Sequence, residues 1–136
     1  MKKNVFVDTD IIYDLLAKRD PHYQAAANLF TLSDEEKIQI SISALSIANI
    51  HYLISKQLSG EQAKQILRKF RLLVHLVPLS EKIIDLALNS EFNDFEDAIQ
   101  YYCAIENECD ILLTRNLRDY KKAQITVMTA LDFINL

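Results

Sequence analysis

The segment NVFVDTDII at residues 4–12 decides the fold, because it joins a short apolar run directly to two carboxylates. Val5, Phe6 and Val7 are too few to make a helix. A continuous apolar run bounded by polar residues is typical of a strand that is buried on both faces of a parallel sheet. Asp8 ends that run, and a carboxylate in such a place needs a partner or carries a cost in free energy. The segment therefore predicts a parallel sheet with acidic chemistry at the end of its first strand.

Further along the chain, short apolar runs alternate with segments of helical periodicity. The strand candidates are residues 4–7, 38–42, 74–79, 111–113 and 125–128. Strands that alternate with helices indicate an α/β fold, with a mainly parallel sheet and helices on both of its faces. No linker, internal repeat or low-complexity stretch divides residues 1–136, so we expect a single domain.

Composition narrows the classes of protein to which the chain can belong. Half of the 136 residues are hydrophobic and a quarter are charged, which excludes intrinsic disorder. One glycine and two prolines are too few for the many tight turns of a β-sandwich or barrel. The two cysteines, Cys103 and Cys109, make no disulfide framework and are interpreted as packing residues.

Charge and hydropathy bear on location and partners. No apolar run approaches the roughly 20 residues that span a bilayer, and no secretory signal opens the chain, so we expect a cytoplasmic protein with no membrane partner. The formal net charge of −4 gives no general attraction to nucleic acid. Any such binding must therefore depend on local groups of basic residues.

Three polar clusters fall at one edge of the predicted sheet, where ligands bind in parallel α/β folds. They are Asp8 and Asp10 after the first strand, Asp94, Glu96 and Asp97 at the start of the helix before residues 111–113, and Asn116 and Asp119 after that strand. Carboxylates focused on one edge repel each other unless a cation lies among them. Hard oxygen ligands of this kind suit Mg²⁺ or Mn²⁺.

Each cluster also has a plain structural interpretation. Asp94 is a good N-cap and Asp97 would then lie in the first helical turn, where a negative charge stabilises the helix by roughly 0.3–1 kcal/mol. Asp10 could likewise cap the helix that it opens. Helix caps are far commoner than metal sites, so it is the conjunction of the three clusters that favours a metal site.

Four segments together resemble the PIN domain family, and specifically small ribonuclease toxins of the VapC type. The segments are VFVDTDII at 5–12, SALSIANI at 43–50, DFEDA at 94–98 and TRNLRDY at 114–120. Their order and spacing agree with the family over essentially the whole chain. The resemblance implies a three-layer α/β/α fold around a parallel five-stranded sheet, and an endoribonuclease that uses Mg²⁺ or Mn²⁺.

The resemblance also implies roles for particular residues. Asp8 is then the first metal ligand, Asp97 the second, and Asp94 a further contributor. Asn116 and Asp119 are the candidates for the fourth position, in the last motif; Asn116 stands where many members carry Asp, which favours Asp119 as the working carboxylate. Thr114 would place its hydroxyl near the same cluster.

The clearest departure from the family pattern is Asn49, since many members have Glu at this place. Asn keeps an acceptor oxygen but carries no charge, so we expect weaker metal binding. Asp10 replaces a common Asn after Thr9 and returns some negative charge to the site. Whether the chain is catalytically active therefore depends on how far Asp10 makes up for the charge that Asn49 lacks.

Basic and aromatic residues are candidates for binding the RNA. Phosphate contacts are expected from Arg115, Arg118, Lys121 and Lys122, with Thr114 beside them, and from Lys18 and Arg19 as a second pair. Tyr101, Tyr102 and Tyr120 are candidates for stacking on bases, although core packing is the better interpretation of Tyr102. For each cation taken singly, a solvated surface position is a sufficient explanation.

The sequence leaves two other functions open and suggests two protein partners. One alternative is a weakened PIN-like module that binds RNA or protein without cutting; the other is a phosphatase of the haloacid-dehalogenase type, with Asp8 as nucleophile and Asp10 as acid. The resemblance implies an antitoxin partner. Apolar stripes at 22–33 and 61–73, with Phe70, Leu72 and Leu73 close together, predict a homodimer.

Overall fold

The computed structural model describes residues 2–136. Its strands are β1 (Lys3–Val7), β2 (Ile38–Ser43), β3 (His75–Val77), β4 (Ile111–Leu113) and β5 (Thr126–Met128). Its helices are α1 (Thr9–Leu16), α2 (Tyr23–Asp34), α3 (Ala44–Ser55), α4 (Gly60–Phe70), α5 (Glu81–Leu88), α6 (Phe95–Glu106) and α7 (Ala130–Ile134), with 3₁₀ turns at Arg71–Leu73 and Leu117–Tyr120. The α/β fold and its five-stranded sheet are thus confirmed.

All neighbouring strands of the sheet pair in parallel, in the order β3-β2-β1-β4-β5. The chain builds outward from β1 through β2 to β3, then crosses back to place β4 on the other side of β1. The order of strands therefore reverses between β1 and β4, and the carboxyl ends at such a reversal form the crevice in which ligands bind. Asp8 and Thr114 are the residues that directly follow these two strands.

Alternating residues of β1 face two separate hydrophobic cores, as the pleat of a strand requires. Val5 and Val7 belong to the core formed with α1–α4 and α7. Phe6 belongs to the core formed with α5 and α6. Because both faces are covered there, residues 5–7 of β1 are all apolar and buried, and Asp8 directly follows them.

The two cysteines pack in the second of these cores. Cys103 and Cys109 are both buried free thiols, as their interpretation as packing residues requires. Burial raises the pKa of Cys103 to about 12 and that of Cys109 to about 11. Within residues 2–136, the helices are too short or too polar to cross a bilayer.

Candidate active site

Asp8 lies at the centre of the crevice between β1 and β4. It is only 5% exposed, and as the N-cap of α1 its Oδ1 accepts a hydrogen bond of 2.7 Å from the backbone N–H of Thr9. Its Oδ2 accepts hydrogen bonds from the Thr114 hydroxyl at 2.9 Å and the Tyr120 hydroxyl at 3.1 Å. Burial raises the pKa of Asp8, and these hydrogen bonds, led by that of Thr114, oppose the rise.

Gln100 is a part of the site that the sequence analysis missed. It is 2% exposed, and its Nε2 lies 3.3 Å from Asp8 Oδ1, 2.9 Å from Thr9 Oγ1 and 2.9 Å from Ser46 Oγ. The negative charge of Asp8 fixes the orientation of the amide, because a carbonyl oxygen in that position would face the carboxylate. A signal was present in the sequence: Gln100 follows Asp97 by three residues and so shares its face of α6.

Asp97 lies beside Asp8 although it comes from α6. The Tyr120 hydroxyl, which donates to Asp8, also lies 3.5 Å from Asp97 Oδ1. Burial raises the pKa of Asp97 to about 7, with the charges of Asp8, Asp94 and Asp119 acting in the same direction. The pKa of the Tyr120 phenol is raised by its burial and then by Asp8, so the hydroxyl stays a hydrogen-bond donor.

The acidic residues line two adjoining cavities that share Asp97. The first cavity, of about 390 Å³, is lined by Asp8, Asp10, Glu96, Asp97, Gln100 and Asn116, among others. The second, of about 310 Å³, is lined by Asp94, Asp97, Asp119, Arg118, Lys121 and Lys122, among others. The carboxylates predicted from the sequence are therefore brought together through Asp97, but Asp119 lines the second cavity and Asp8 the first.

Capping accounts for some of the acidic residues but not for all of them. Asp94 is the N-cap of α6 and accepts a hydrogen bond of 3.0 Å from Asp97 N–H, which confirms its structural interpretation. Asp10 does not cap α1, because Asp8 occupies that position. Asp10 Oδ2 instead accepts a hydrogen bond of 3.1 Å from Arg115 N–H, across the crevice.

The first cavity suits a hard cation in the kind of ligand that it offers. Asp10 Oδ1 is buried and has no hydrogen-bond partner among the described residues. Burial, followed by the charge of Asp8, raises the pKa of Asp10 to about 7. A buried and unpaired carboxylate oxygen is costly, and a divalent cation would satisfy it. Asp8, Asp10, Glu96 and Asp97 are the carboxylates that line this cavity and would supply the ligands.

The carboxylates are not yet gathered to coordination distance. Within residues 2–136, no three His, Cys, Asp or Glu side chains already form a group that could hold a metal ion. The bonds from Mg²⁺ to oxygen are about 2.0–2.1 Å, so the more exposed carboxylates would have to move inward to share one such cation. Glu96 is exposed and Asp97 is half-buried, so both have room to turn.

Asn49 lies on α3 near the first cavity. It is half-buried and stands one turn before Leu53, which lines the cavity, and three residues after Ser46, which contacts Gln100. Residues at these spacings share one face of a helix. A longer, charged side chain at position 49 would therefore extend toward the first cavity.

The residues predicted to bind RNA differ in whether they are exposed and free to contact a phosphate. Arg118 and Lys121 are exposed and line the second cavity. Arg115 Nε lies 2.9 Å from the buried Asp14, so its guanidinium already has an anionic partner. Thr114 is not available to a substrate, because it is fully buried and donates its hydroxyl to Asp8. Lys122 Nζ lies 3.3 Å from the carbonyl oxygen of Glu91.

Two of the tyrosines predicted to stack on bases are unavailable for that role. Tyr101 is 6% exposed and packs against Phe92, and Tyr120 is 3% exposed. The hydroxyl of Tyr120, rather than its ring, is what the site uses. Tyr102 also packs against Phe92, in line with its interpretation as a packing residue.

Comparison with known proteins gives consistent results. A family model described as PIN domain matches residues 4–118. Ribonuclease VapC1 of Aquifex aeolicus is 22% identical over an alignment of length 136; 96% of this chain and 93% of the relative are covered. Among solved structures, VapBC2 from Rickettsia felis bound to a promoter DNA fragment has a TM-score of 0.67 at 22% identity, with 92% of this chain and 96% of the other covered. VapC20 of Mycobacterium tuberculosis, a toxin that cleaves the sarcin-ricin loop, has a TM-score of 0.62 at 16% identity, with 79% and 86% covered.

Proposed function

Because the chain belongs to the PIN domain family, we propose that it is a metal-dependent endoribonuclease. The observation that carries the proposal is the pairing of Asp8 and Asp97, which come from distant parts of the chain and share the Tyr120 hydroxyl. Two relatives support the choice of RNA as substrate: VapC1 is a ribonuclease, and VapC20 cleaves the sarcin-ricin loop.

The metal ligands in this proposal are carboxylates from both cavities. Asp8 and Asp97 form the central pair, Asp10 and Glu96 stand beside them in the first cavity, and Asp94 and Asp119 line the second cavity with Asp97. Oxygen ligands alone, with space left for water, favour Mg²⁺ or Mn²⁺. When bound, such a cation polarises a phosphoryl oxygen and lowers the pKa of a coordinated water.

The side chains around the carboxylates have positioning roles in this proposal. Thr114, Tyr120 and Gln100 hold the Asp8 carboxylate in one orientation through their hydrogen bonds. Arg118 and Lys121 line the second cavity and attract the phosphates of an RNA strand. Asn116 lines the first cavity and offers a neutral amide to the substrate or to bound water.

The direct test is cleavage of a single-stranded RNA by the purified protein in Mg²⁺, in Mn²⁺ and in EDTA. We expect cleavage in either cation and none in EDTA. Asp97→Asn and Asp8→Asn should abolish it, whereas Asp85→Asn, which removes an exposed carboxylate on α5, should leave it unchanged. Cleavage that persists in EDTA, or in both site variants, would contradict the proposal.

Asn49 sets the strength of metal binding in this proposal. Asn49→Glu adds a carboxylate on the helix face that leads to the first cavity, and we expect tighter Mn²⁺ binding by calorimetry. Unchanged or weaker binding would mean that position 49 lies outside the coordination shell. A chain that binds Mn²⁺ but cuts no RNA would be the weakened binding module instead.

The phosphatase alternative has no support in the surroundings of Asp8. Its hydrogen-bond donors are Thr9, Thr114, Tyr120 and Gln100, whereas that class of enzyme needs a lysine near its nucleophile. The family match also points elsewhere. Phosphorylation of Asp8 on incubation with a phosphate ester would revive this alternative.

We further propose that the chain is a toxin controlled by a partner protein, as the likeness to VapBC2 and VapC20 suggests. Expression in a bacterial host should arrest growth, and Asp97→Asn should relieve the arrest. Co-expression of a small protein encoded beside this chain should relieve it too, and the two should purify as a complex. Equal arrest by the wild type and by Asp97→Asn would contradict a toxin that acts through this site.

A further inference from the structure

One of the residues that line the acidic first cavity is an arginine. Arg19 lies in the turn after α1 and borders the cavity together with Asp8, Asp10 and Asp97. Its side chain is 44% exposed, so it can reach a ligand in solution. Lys18, the other cation of this pair, is exposed and lies outside the lining of the cavity. The structure therefore distinguishes two adjacent cations that the sequence could not.

Two arginines share one buried carboxylate beside this cavity. Asp14 is 1% exposed; Arg115 Nε lies 2.9 Å from its Oδ2, and Arg19 Nε lies 3.8 Å from its Oδ1. One carboxylate can balance one of the two cations, and the shorter distance assigns it to Arg115. Arg19 therefore keeps a positive charge that another anion can use.

The guanidinium of Arg19 also lies over an aromatic ring. Its central carbon lies 4.7 Å from the centre of the Tyr13 ring, within the range of a cation–π contact. The Tyr13 hydroxyl accepts a hydrogen bond of 3.1 Å from Gln57, which fixes the ring in turn. A guanidinium in a cation–π contact still has N–H groups to donate, and its terminal N–H groups match two phosphate oxygens.

We propose that Arg19 binds the RNA phosphate next to the one that is cleaved. The proposal rests on the proposed function, because that phosphate belongs to the same substrate. Arg118 and Lys121 line the second cavity, which shares Asp97 with the first. A single RNA strand that follows both cavities thus meets cations in each of them, with Arg19 in the cavity that Asp8 lines.

The test is binding of a short, end-labelled single-stranded RNA to the full chain, followed by fluorescence anisotropy over a range of salt concentrations. Ca²⁺ replaces Mg²⁺, and a gel checks that the RNA stays intact. Arg19→Ala should weaken binding roughly tenfold, as expected for a charged hydrogen bond. It should also reduce the slope of log affinity against log salt by about 0.7, the contribution of one contact to a single-strand phosphate.

The matched control is Arg68→Ala, which also removes one positive charge. Arg68 is exposed on α4 and pairs with Glu61 at 3.6 Å, away from both acidic cavities. We expect its affinity and its salt slope to stay close to those of the wild type. Equal effects of Arg19→Ala and Arg68→Ala would overturn the proposal, because net charge alone would then explain the loss.

A second variant separates a substrate contact from a purely structural role. Tyr13→Leu removes the ring on which Arg19 stacks, so it should weaken RNA binding, and combining it with Arg19→Ala should add little. Arg19→Ala should leave the melting temperature nearly unchanged, because Arg115 still pairs with Asp14. A variant that melts earlier yet keeps the wild-type salt slope would show that Arg19 serves the fold alone.

Cleavage in Mg²⁺ is measured separately, so the two hypotheses can fail independently. RNA binding that depends on Arg19 without cleavage by the wild type would keep Arg19 as a phosphate contact and overturn the nuclease assignment. Cleavage with a salt slope indifferent to Arg19 would do the reverse. Absence of RNA binding by the wild type would overturn the inference outright.

Discussion

At the scale of single residues, the site is arranged around a carboxylate that has no freedom to move. Asp8 accepts four hydrogen bonds, from Thr9, Thr114, Tyr120 and Gln100, and together they hold its carboxylate in one orientation. Its neighbours in the first cavity are less constrained, since Asp10 Oδ1 has no partner among residues 2–136. In the proposed metal site, Asp8 would thus keep its orientation while the carboxylates around it turn toward the cation.

The importance of Gln100 can be tested through stability. Gln100→Leu keeps a similar volume but removes the donor that Asp8, Thr9 and Ser46 share, so we expect the free energy of unfolding to fall by about 1–3 kcal/mol. Urea denaturation in EDTA measures this. Gln24→Leu, which removes an exposed hydrogen bond to Asn28 on α2, should change it by less than about 0.5 kcal/mol. Similar losses in both variants would contradict a special role for Gln100.

The raised pKa of Asp97 predicts an unusual pH dependence for the metal-free protein. The folded pKa is about 7 and the ordinary value is 3.8, so between these values the folded chain holds a proton that the unfolded chain has released. Stability should therefore fall as pH rises through this window. Asp97→Asn should make the metal-free protein more stable near neutral pH than the wild type, with the difference shrinking toward about pH 4.

Thermal melts in EDTA across this range provide the measurement for Asp97. The slope should be reduced rather than abolished in the variant, because Asp10 also has a pKa of about 7. Addition of Mn²⁺ should stabilise the wild type and have little effect on Asp97→Asn. Parallel pH profiles for the two proteins would show that Asp97 carries no such strain.

At the scale of elements, the sequence predicted the strands and helices well because the signal was local. The apolar run at residues 4–7 and the helical stripe of Ala63, Leu67 and Phe70 are both observed, and the stripe is buried. The contacts of Gln100 and the pairing of Arg115 with Asp14 could not be predicted. They depend on which side of each helix meets which neighbour, and periodicity alone does not give that information.

The N-terminus of α6 allows capping and metal binding to be separated. Asp94 is the cap, and Asn caps a helix about as well as Asp. Asp94→Asn should therefore keep the free energy of unfolding within about 0.5 kcal/mol of the wild type, whereas Asp94→Ala should lower it by about 1 kcal/mol. If the charge of Asp94 also attracts the cation, Mn²⁺ affinity should fall in both variants. Unchanged Mn²⁺ affinity in Asp94→Asn would leave Asp94 as a cap alone.

At the scale of the whole molecule, the reversal of strand order explains why chemistry collects in one place. Motifs from residues 8–10, 94–97 and 114–120 meet because β1 and β4 are neighbours and α6 leads into β4. The strand order expected from the sequence predicted this meeting, but it did not reveal that the acidic residues line two cavities that share Asp97. That division depends on the packing of side chains, which the pattern of strands and helices does not specify.

The last prediction concerns assembly. Of the three apolar residues that suggested a dimer, Phe70 is buried at 3% exposure and Leu73 packs against the core, but Leu72 is 87% exposed. Burial of a leucine side chain contributes about 1.5–3 kcal/mol, so we expect Leu72 to lie at the centre of an interface between two copies.

We expect light scattering coupled to size exclusion to give twice the mass of one chain for the wild type, and Leu72→Ser to give the mass of one. Leu88→Ser, which changes an exposed leucine on α5, should remain a dimer. A wild-type mass of one chain at micromolar concentration would contradict the dimer, and dissociation by Leu88→Ser instead would place the interface on the opposite layer of helices.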